Sequence, residues 1–273
     1  MRDYKFIDKS VYLEKEKILV ISDLHLGYEQ GLQEQGVFIP KTQYKKIIED
    51  LEKIFEEIGV DKKKTRDIKE GVISRGNITN KKTHNKSVKS FSFNNKLKKI
   101  IILGDLKHEF YGNLQQEWKE VLDLLDYLKE KCEKIIIIKG NHDNYLANVI
   151  KNKENVKLVD CYIIDDRAFI HGNKIFPEIL DKKIKQIFLG HMHPAISIAK
   201  NVKKEIYKCF LTGRWKDKEI IILPSFFPLV EGADVNIEDT NLAFKLDLSG
   251  FEVFVVGDKV YDFGKVKDVG KLV

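Results

Sequence analysis

Four times along this chain a short run rich in Ile, Val and Leu stops at a cluster of Asp, Asn, His and Gly, and this repeated junction constrains the fold more than anything else in the sequence. The runs are residues 17–22, 99–103, 134–139 and 186–189. They lead into Asp23-Leu-His25, Gly104-Asp105-Leu-Lys-His108, Gly140-Asn141-His142-Asp143 and Gly190-His191-Met-His193. A fifth run, 167–170, leads into His171-Gly172. Short, continuously apolar runs are expected of strands covered on both faces. In an open α/β sheet the carboxyl ends of the strands line one crevice, so clusters far apart in sequence can converge there.

Helical periodicity alternates with the first three runs. Ile47, Ile48, Leu51, Ile54, Phe55 and Ile58 share one helical face, with Gly59 as a stop. Leu114, Trp118, Val121, Leu122, Leu125 and Leu128 share another. Such alternation implies parallel strands joined by right-handed crossovers. Beyond about residue 200 the pattern changes to strands without long helices, at 205–211, 219–223, 243–248 and 251–256, with Ser249-Gly250 as a turn between the last two. A second, more antiparallel sheet is expected from that half. The whole, residues 1–273, reads as a single α/β domain with a well-buried interior.

One stretch, at about 61–98, breaks the alternation and reads as a flexible insertion rich in Lys, Asn, Ser and Thr. From Asp61 to Lys99 there are eleven Lys and two Arg against two Asp and one Glu, a net +10. The chain's overall +6 therefore leaves −4 for everything else. Basicity confined in this way gives no general case for nucleic-acid binding by the body. The preceding helix runs back from the crevice, so the insertion is expected to leave the body at the end away from the clusters, as a solvated loop. His84, within it, reads as solvated.

With 43% hydrophobic and 33% charged residues the composition is that of a soluble globular protein. No apolar run approaches the roughly 20 residues that span a bilayer, and the start lacks the layout of a signal peptide. A cytoplasmic location without membrane association is expected. Cys132, Cys161 and Cys209 are widely separated, which predicts reduced thiols and no thiolate metal site.

Taken singly, an Asp-x-His after a strand is a turn with a surface histidine, and Gly-Asn-His-Asp is turn chemistry. Four such clusters in series, each ending a strand, point instead to a metal site. Imidazole with carboxylate suits Mn, Fe, Ni or Zn and fits neither a thiolate zinc site nor an oxygen-only calcium cage.

The ordered pattern D-x-H, G-D, G-N-H-[DE], H, G-H-x-H, complete between Ile21 and Pro194, resembles that of the calcineurin-like metallophosphoesterases. The resemblance implies a two-sheet αββα sandwich and two divalent metal ions, with manganese foremost. By that likeness Asp23, His25 and His193 would bind one metal, Asn141, His171 and His191 the other, and Asp105 would bridge them. His142 would sit by the substrate phosphate as a general acid or charge stabiliser. Two metals about 3.5–4 Å apart can activate water and clamp an in-line displacement. Asp143 reads either as the residue that orients His142 or as a helix N-terminal acid. His108 departs from the commonest pattern and is assigned to the leaving group or the outer ligand shell, rather than to a loop cap.

The protein-phosphatase branch carries an arginine after its G-D cluster and a glutamate after G-N-H, and this chain has neither. Leu223-Pro-Ser-Phe-Phe-Pro228, Glu231-Gly-Ala-Asp-Val-Asn236 and the LGHMHP form of the last cluster resemble the archaeal SbcD-related phosphoesterases and the ligase- or helicase-associated DNA-repair phosphoesterases. This implies a phosphodiesterase or nuclease acting on DNA or RNA, with a ligase or helicase as repair partner. A plainer reading of residues 223–236 is a strand end and a packed aromatic loop. Hydrolysis of a small nucleotide or cyclic diester is the alternative. A binding scaffold without chemistry would have lost ligands, and none is missing.

Overall fold

The apolar runs become neighbouring strands of two sheets packed face to face. The computed structural model describes residues 2–60, 95–109, 115–200, 203–237 and 241–269. The first sheet runs in chain order: β1 (Lys5–Ile7), β2 (Ser10–Leu13), β3 (Ile18–Ile21), β4 (Leu97–Ile102), β5 (Cys132–Ile138) and β6 (Val156–Val159). β1 to β3 pair antiparallel, and β3 to β6 pair parallel. The second sheet is built from β7 (Cys161–Ile164), β8 (Arg167–Ile170), β9 (Gln186–Leu189), β10 (Pro194–Lys200), β11 (Lys203–Trp215), β12 (Lys218–Ile222), β13 (Ala233–Asp234), β14 (Glu252–Val256) and β15 (Val260–Lys265). Its order is β13-β10-β11-β12-β9-β8-β7, with β14 on β11 and β15 on β14. β8, β9 and β12 are mutually parallel, whereas β10, β11, β14 and β15 pair antiparallel.

Period-two alternation explains why the strands are apolar on both faces. Leu19, Ile21, Ile100, Ile102, Ile135 and Ile137 pack beneath helices α2 (Gln43–Glu57), α3 (Gln115–Lys131) and α4 (Leu146–Ile150), while a short helix α1 (Tyr28–Glu34) follows β3. Their neighbours Ile18, Val20, Ile101, Leu103, Ile136 and Ile138 face Phe169, Phe188, Phe210, Ile221 and Phe254 of the second sheet. α2 buries Ile47, Leu51, Ile54 and Phe55 as its periodicity predicts. α3 buries Val121, Leu124, Leu125 and Leu128, with Leu124 rather than Leu122 at the centre of its face. Leu114 lies outside the described residues. The outer face of the second sheet is covered by 3-10 turns at Pro177–Leu180 and Leu248–Gly250, by α5 (Val266–Val269), and by an extended segment carrying Leu242 and Phe244.

That segment corrects one expectation. Residues 243–248 do not form a strand, and Ser249-Gly250 lies in a 3-10 turn rather than between paired strands. Leu242, Phe244 and Leu248 do alternate inward, but onto the face of the sheet instead of beside a partner's backbone. Alternation reports a buried side and says nothing of where the hydrogen bonds go. β14 pairs instead with β11 and β15.

Residues 61–94 of the insertion, His84 included, lie outside the described residues, and β4 already begins at Leu97. The flanks are placed. Asn95 Nδ2 donates to the Gly59 carbonyl at 3.5 Å, and Lys17 Nζ donates to Asn95 Oδ1 at 3.1 Å. Lys17 precedes β3, so both flanks sit at the strand starts. Among the described residues no helix is long and apolar enough to cross a membrane, and all three cysteines are unpaired.

Candidate metal centre

β3, β4 and β5 are parallel neighbours in one sheet, and β8 and β9 in the other, so all five polar clusters leave the sandwich at the same end. The chain turns sharply as it leaves. Asp23 (φ 53°), His25 (φ 49°), Asp105 (φ 47°), His191 (φ 67°) and His193 (φ 51°) all have left-handed backbones. For residues with a Cβ this costs about 1–2 kcal/mol each, and such strain concentrates at functional sites. Hydrogen bonds between the segments hold the turns: Asp23 N to Gly104 O (3.2 Å), His25 N to Asp105 O (2.9 Å) and Leu26 N to Leu106 O (3.0 Å). Two glycines make room. A Cβ at Gly140 would overlap Asp105 Oδ1, and one at Gly190 would overlap the Ser22 hydroxyl.

The side chains converge in two groups, Asp23–His25–His193 and Asp105–His171–His191, each with ligand atoms within 4.8 Å of one another. In the first, His25 Nε2 lies 3.2 Å from His193 Nε2, which is itself 3.3 Å from Asp23 Oδ1. In the second, His171 Nε2 lies 3.3 Å from Asp105 Oδ2 and 3.0 Å from Asn141 Oδ1. Asp105 Oδ2 is also 3.9 Å from His25 Nε2, so one carboxylate reaches both groups. His171 Nδ1 donates to the Leu103 carbonyl at 2.7 Å, which turns Nε2 toward the carboxylate.

Burial opposes ionisation of Asp23 and Asp105, yet His193, His171 and His25 around Asp23, and His171 beside Asp105, hold both carboxyls below the usual carboxylate range. Burial, reinforced by His193, pushes His25 down to about 3, so its imidazole is neutral. Burial and His171 likewise lower His191. Burial also opposes charge on His171, but the Asp105 hydrogen bond and the Asp23 carboxylate raise it to about 9. Two imidazole nitrogens 3.2 Å apart can share a proton or a cation between them. This donor set of buried carboxylates, imidazoles and one amide oxygen suits divalent ions that accept nitrogen and oxygen.

His142 stands beside the second group. Its backbone N–H donates to Asp105 Oδ1 at 2.9 Å, and its Nε2 is 3.9 Å from Asp105 Oδ2. Nδ1 contacts the carbonyl of His108, and since a carbonyl only accepts, Nδ1 carries the hydrogen. His108 lies between His25 and His142: its Nδ1 is 3.4 Å from His25 Nδ1, and its ring stacks on His142 with centroids 5.4 Å apart. Burial, then the neighbouring His142, lowers His108 to about 4. His108 therefore belongs to the side-chain cluster.

Neither expectation for Asp143 holds. It is 1% exposed, and α4 has no acidic residue in its first turn. Oδ1 accepts from the backbone N–H groups of Leu106 (3.0 Å) and Lys107 (3.3 Å), and Oδ2 from that of Gly140 (2.9 Å). One carboxylate thus fastens the Asp105 loop to the Asn141 loop. Gln43 was not predicted at all. It is buried, and its Nε2 donates to the carbonyls of Leu24 (3.0 Å) and His25 (2.7 Å). A polar residue at a helix start carries no sequence signal that it reaches back to a metal loop.

Residues 223–236 form a packed aromatic loop that walls the site. Phe226 N and Phe227 N donate to the Ser22 and Asp23 carbonyls (2.7 and 3.1 Å), and the Phe227 ring lies 5.7 Å from His25. Ala233 N donates to the His193 carbonyl at 2.9 Å. Between these walls opens a cavity of about 450 Å³, lined by His25, Asp105, Asn141, His142, His191 and His193 with Met192, Val230, Ala233 and Asn241. Among the described residues no Lys or Arg lines it. Arg167, by contrast, pairs with Asp3 and Glu16 at the strand starts.

The family profile for calcineurin-like phosphoesterases matches residues 16–261. Among solved structures, the chain is similar to the Pseudomonas putida nuclease MPE, at 17% identity over 94% of this chain and 92% of that one, with a TM-score of 0.56. It is also matched to YfcE, a phosphoesterase from E. coli, at 13% identity over 91% and 97% with a TM-score of 0.38. No curated protein sequence matches it.

Proposed function

We propose that this chain, which belongs to the calcineurin-like phosphoesterase family, is a two-metal phosphodiesterase that acts on nucleic acid. The observation that carries the reading is the single buried carboxylate of Asp105 reaching two ligand groups, with His142 beside it in one open cleft. In this proposal Asp23, His25 and His193 hold one divalent cation, Asn141, His171 and His191 the other, and Asp105 joins them. Manganese is the expected activator, and Fe, Ni or Zn fit the same donors. When bound, the pair neutralises phosphate oxygens and makes water a stronger nucleophile.

The chain's own side chains do the rest. His142, its Nδ1–H fixed on the His108 carbonyl, presents Nε2 to the cleft. Protonated there, it donates to a phosphate oxygen or to the departing oxygen. His108 keeps the His142 and His25 rings in place by stacking on one and meeting the other at Nδ1. Phe227 and Tyr28, their rings 4.9 Å apart, shield this corner from water.

The diester preference is supported by the lining. A monoester dianion calls for fixed positive charge beyond the metals, and among the described residues no guanidinium or ammonium faces the cavity. The nuclease title of the solved relative belongs to that protein, and by analogy it favours nucleic acid here, as do the SbcD-like and repair-associated features of residues 189–236. A small nucleotide substrate is the competing reading. The test is turnover of bis-(nitrophenyl) phosphate against nitrophenyl phosphate across Mn²⁺, Fe²⁺, Ni²⁺ and Zn²⁺. We expect the diester to be cleaved faster, with Mn²⁺ best or near best. Monoester turnover well above diester turnover with every metal would overturn the proposal.

A further inference from the structure

Phe38 and Tyr145, 83% and 64% exposed, are the two most exposed aromatic side chains among the described residues, and both stand on segments that leave the metal end of the first sheet. Phe38 is on the loop joining α1 to α2, downstream of Asp23 and His25. Tyr145 follows His142 by three residues. β3 and β5, from which the two segments depart, are the two neighbours of β4, which is followed by the loop of Asp105 and His108. The rings therefore belong to loops on either side of the central metal loop.

Neither ring serves the core, and the backbone that carries each is held in place. The Phe38 loop is closed by Glu29, whose Oε1 accepts from Thr42 N (2.6 Å) and Gln43 N (2.9 Å), and by Val37 N donating to Leu32 O (2.9 Å). Its base is tied to the site, since a Cβ on Gly31 would touch the His108 ring and Gln43 grips the His25 carbonyl. Tyr145 has a left-handed backbone (φ 64°), an outlier for a bulky residue. The turn is fixed by Asn144 N on His142 O (2.9 Å) and by the buried Leu146 that follows. A glycine would satisfy that turn without strain, yet an aromatic ring stands there in water.

We propose that Phe38 and Tyr145 are stacking platforms for the bases of a single-stranded nucleic acid, one on each side of the phosphate held at the metal centre. Among the described residues no Lys or Arg lines the cavity, so the body holds the substrate there through the metals' charge on phosphate and the aromatic rings on bases. Stacking on exposed aromatics is tolerant of sequence because every base has a π face. In a duplex those faces are hidden, so the occupant is single-stranded or frayed. Two platforms on separate loops suit neighbouring nucleotides of a polymer rather than one small nucleotide. The inference deepens the phosphodiesterase reading and rests on it.

The experiment compares Phe38→Ala and Tyr145→Gly with their parent, in metal-loaded protein carrying His142→Ala to prevent cleavage. Glycine suits the left-handed position, so the second variant keeps the fold. Fluorescence anisotropy measures binding of a short oligothymidylate and of an abasic backbone of equal length, each against salt concentration. We expect each variant to weaken oligothymidylate binding by about tenfold, within the range for one stacked base. Abasic binding and the salt slope should stay as in the parent, because no charge is lost. The proposal is overturned if the parent binds both oligomers equally, if the variants bind oligothymidylate as tightly as the parent, or if both oligomers weaken together. Because binding is read without turnover, the outcome is separate from the comparison of diester with monoester.

Discussion

Removing the carboxylate of Asp143 should unfasten the metal centre without touching a ligand. The side chain is buried and accepts three backbone N–H groups, two from the Asp105 loop and one from Gly140. An unsatisfied buried donor costs about 1–3 kcal/mol. With water entering to satisfy part of the space, Asp143→Ala should lose about 3–5 kcal/mol of unfolding free energy. Asp143→Asn keeps the acceptor for Leu106 and Lys107 but sets an amide N–H₂ against the Gly140 N–H, for a loss of about 1–3 kcal/mol. Burial, then the Asp105 charge, pushes this carboxyl up to about 6. Its folded-state value is therefore above its unfolded one, and the folded chain binds the proton more tightly between about pH 4 and 6. Wild-type stability from this group is greater below that window and falls as pH rises through it. Asparagine does not titrate, so the Asn variant's deficit should be larger at pH 5 than at pH 7.5. Urea titrations at both pH values, with bound metal measured in parallel, check this. A loss under about 1 kcal/mol for Asp143→Ala, with metal binding intact, would refute the idea that this carboxylate holds the two loops together.

Two further outcomes follow from the same geometry. His142→Ala should retain bound metal yet lose most diester turnover, about a hundredfold or more, the usual scale for a lost proton donor; elemental analysis beside a rate assay checks it, and undiminished turnover would remove His142 from its role. Replacing residues 62–94 with a short Gly/Ser linker should leave diester turnover nearly unchanged and shift the salt dependence of DNA binding little, because the flanks Gly59 and Asn95 sit at the strand starts; a large loss of DNA affinity with a flattened salt slope would make the insertion a substrate arm.

The convergence of the candidate ligands was legible because they stand at strand ends. A run such as Ile135–Ile138 must be buried on both faces, and the first polar residues after it mark where the sheet ends. Asp23, His25, Asp105, Asn141, His171, His191 and His193 do come together, as that reasoning expects. What escaped it has a common physical origin. Asp143 and Gln43 act on backbone groups distant in sequence, and a hydrogen bond to a backbone N–H or carbonyl leaves no mark on the partner's identity. The apolar alternation of residues 242–248 fixed a buried side but not a ladder, so a packed extended segment passed for a strand. The N-terminal hairpin of β1 and β2 was missed because Lys9 and Ser10 interrupt its apolar pattern, although Lys9 is buried against Asp50 at 2.7 Å.

In the proposed centre Asp105 joins two ligand groups that together hold two divalent cations. Elemental analysis of the protein equilibrated with Mn²⁺ and freed of excess ion tests it most directly, on the wild type and on Asp105→Ala shown to be folded by circular dichroism. Two ions per chain are expected in the wild type and a loss at both positions in the variant, since the carboxylate reaches each group. A single ion per wild-type chain, or two ions undisturbed in Asp105→Ala, would contradict it.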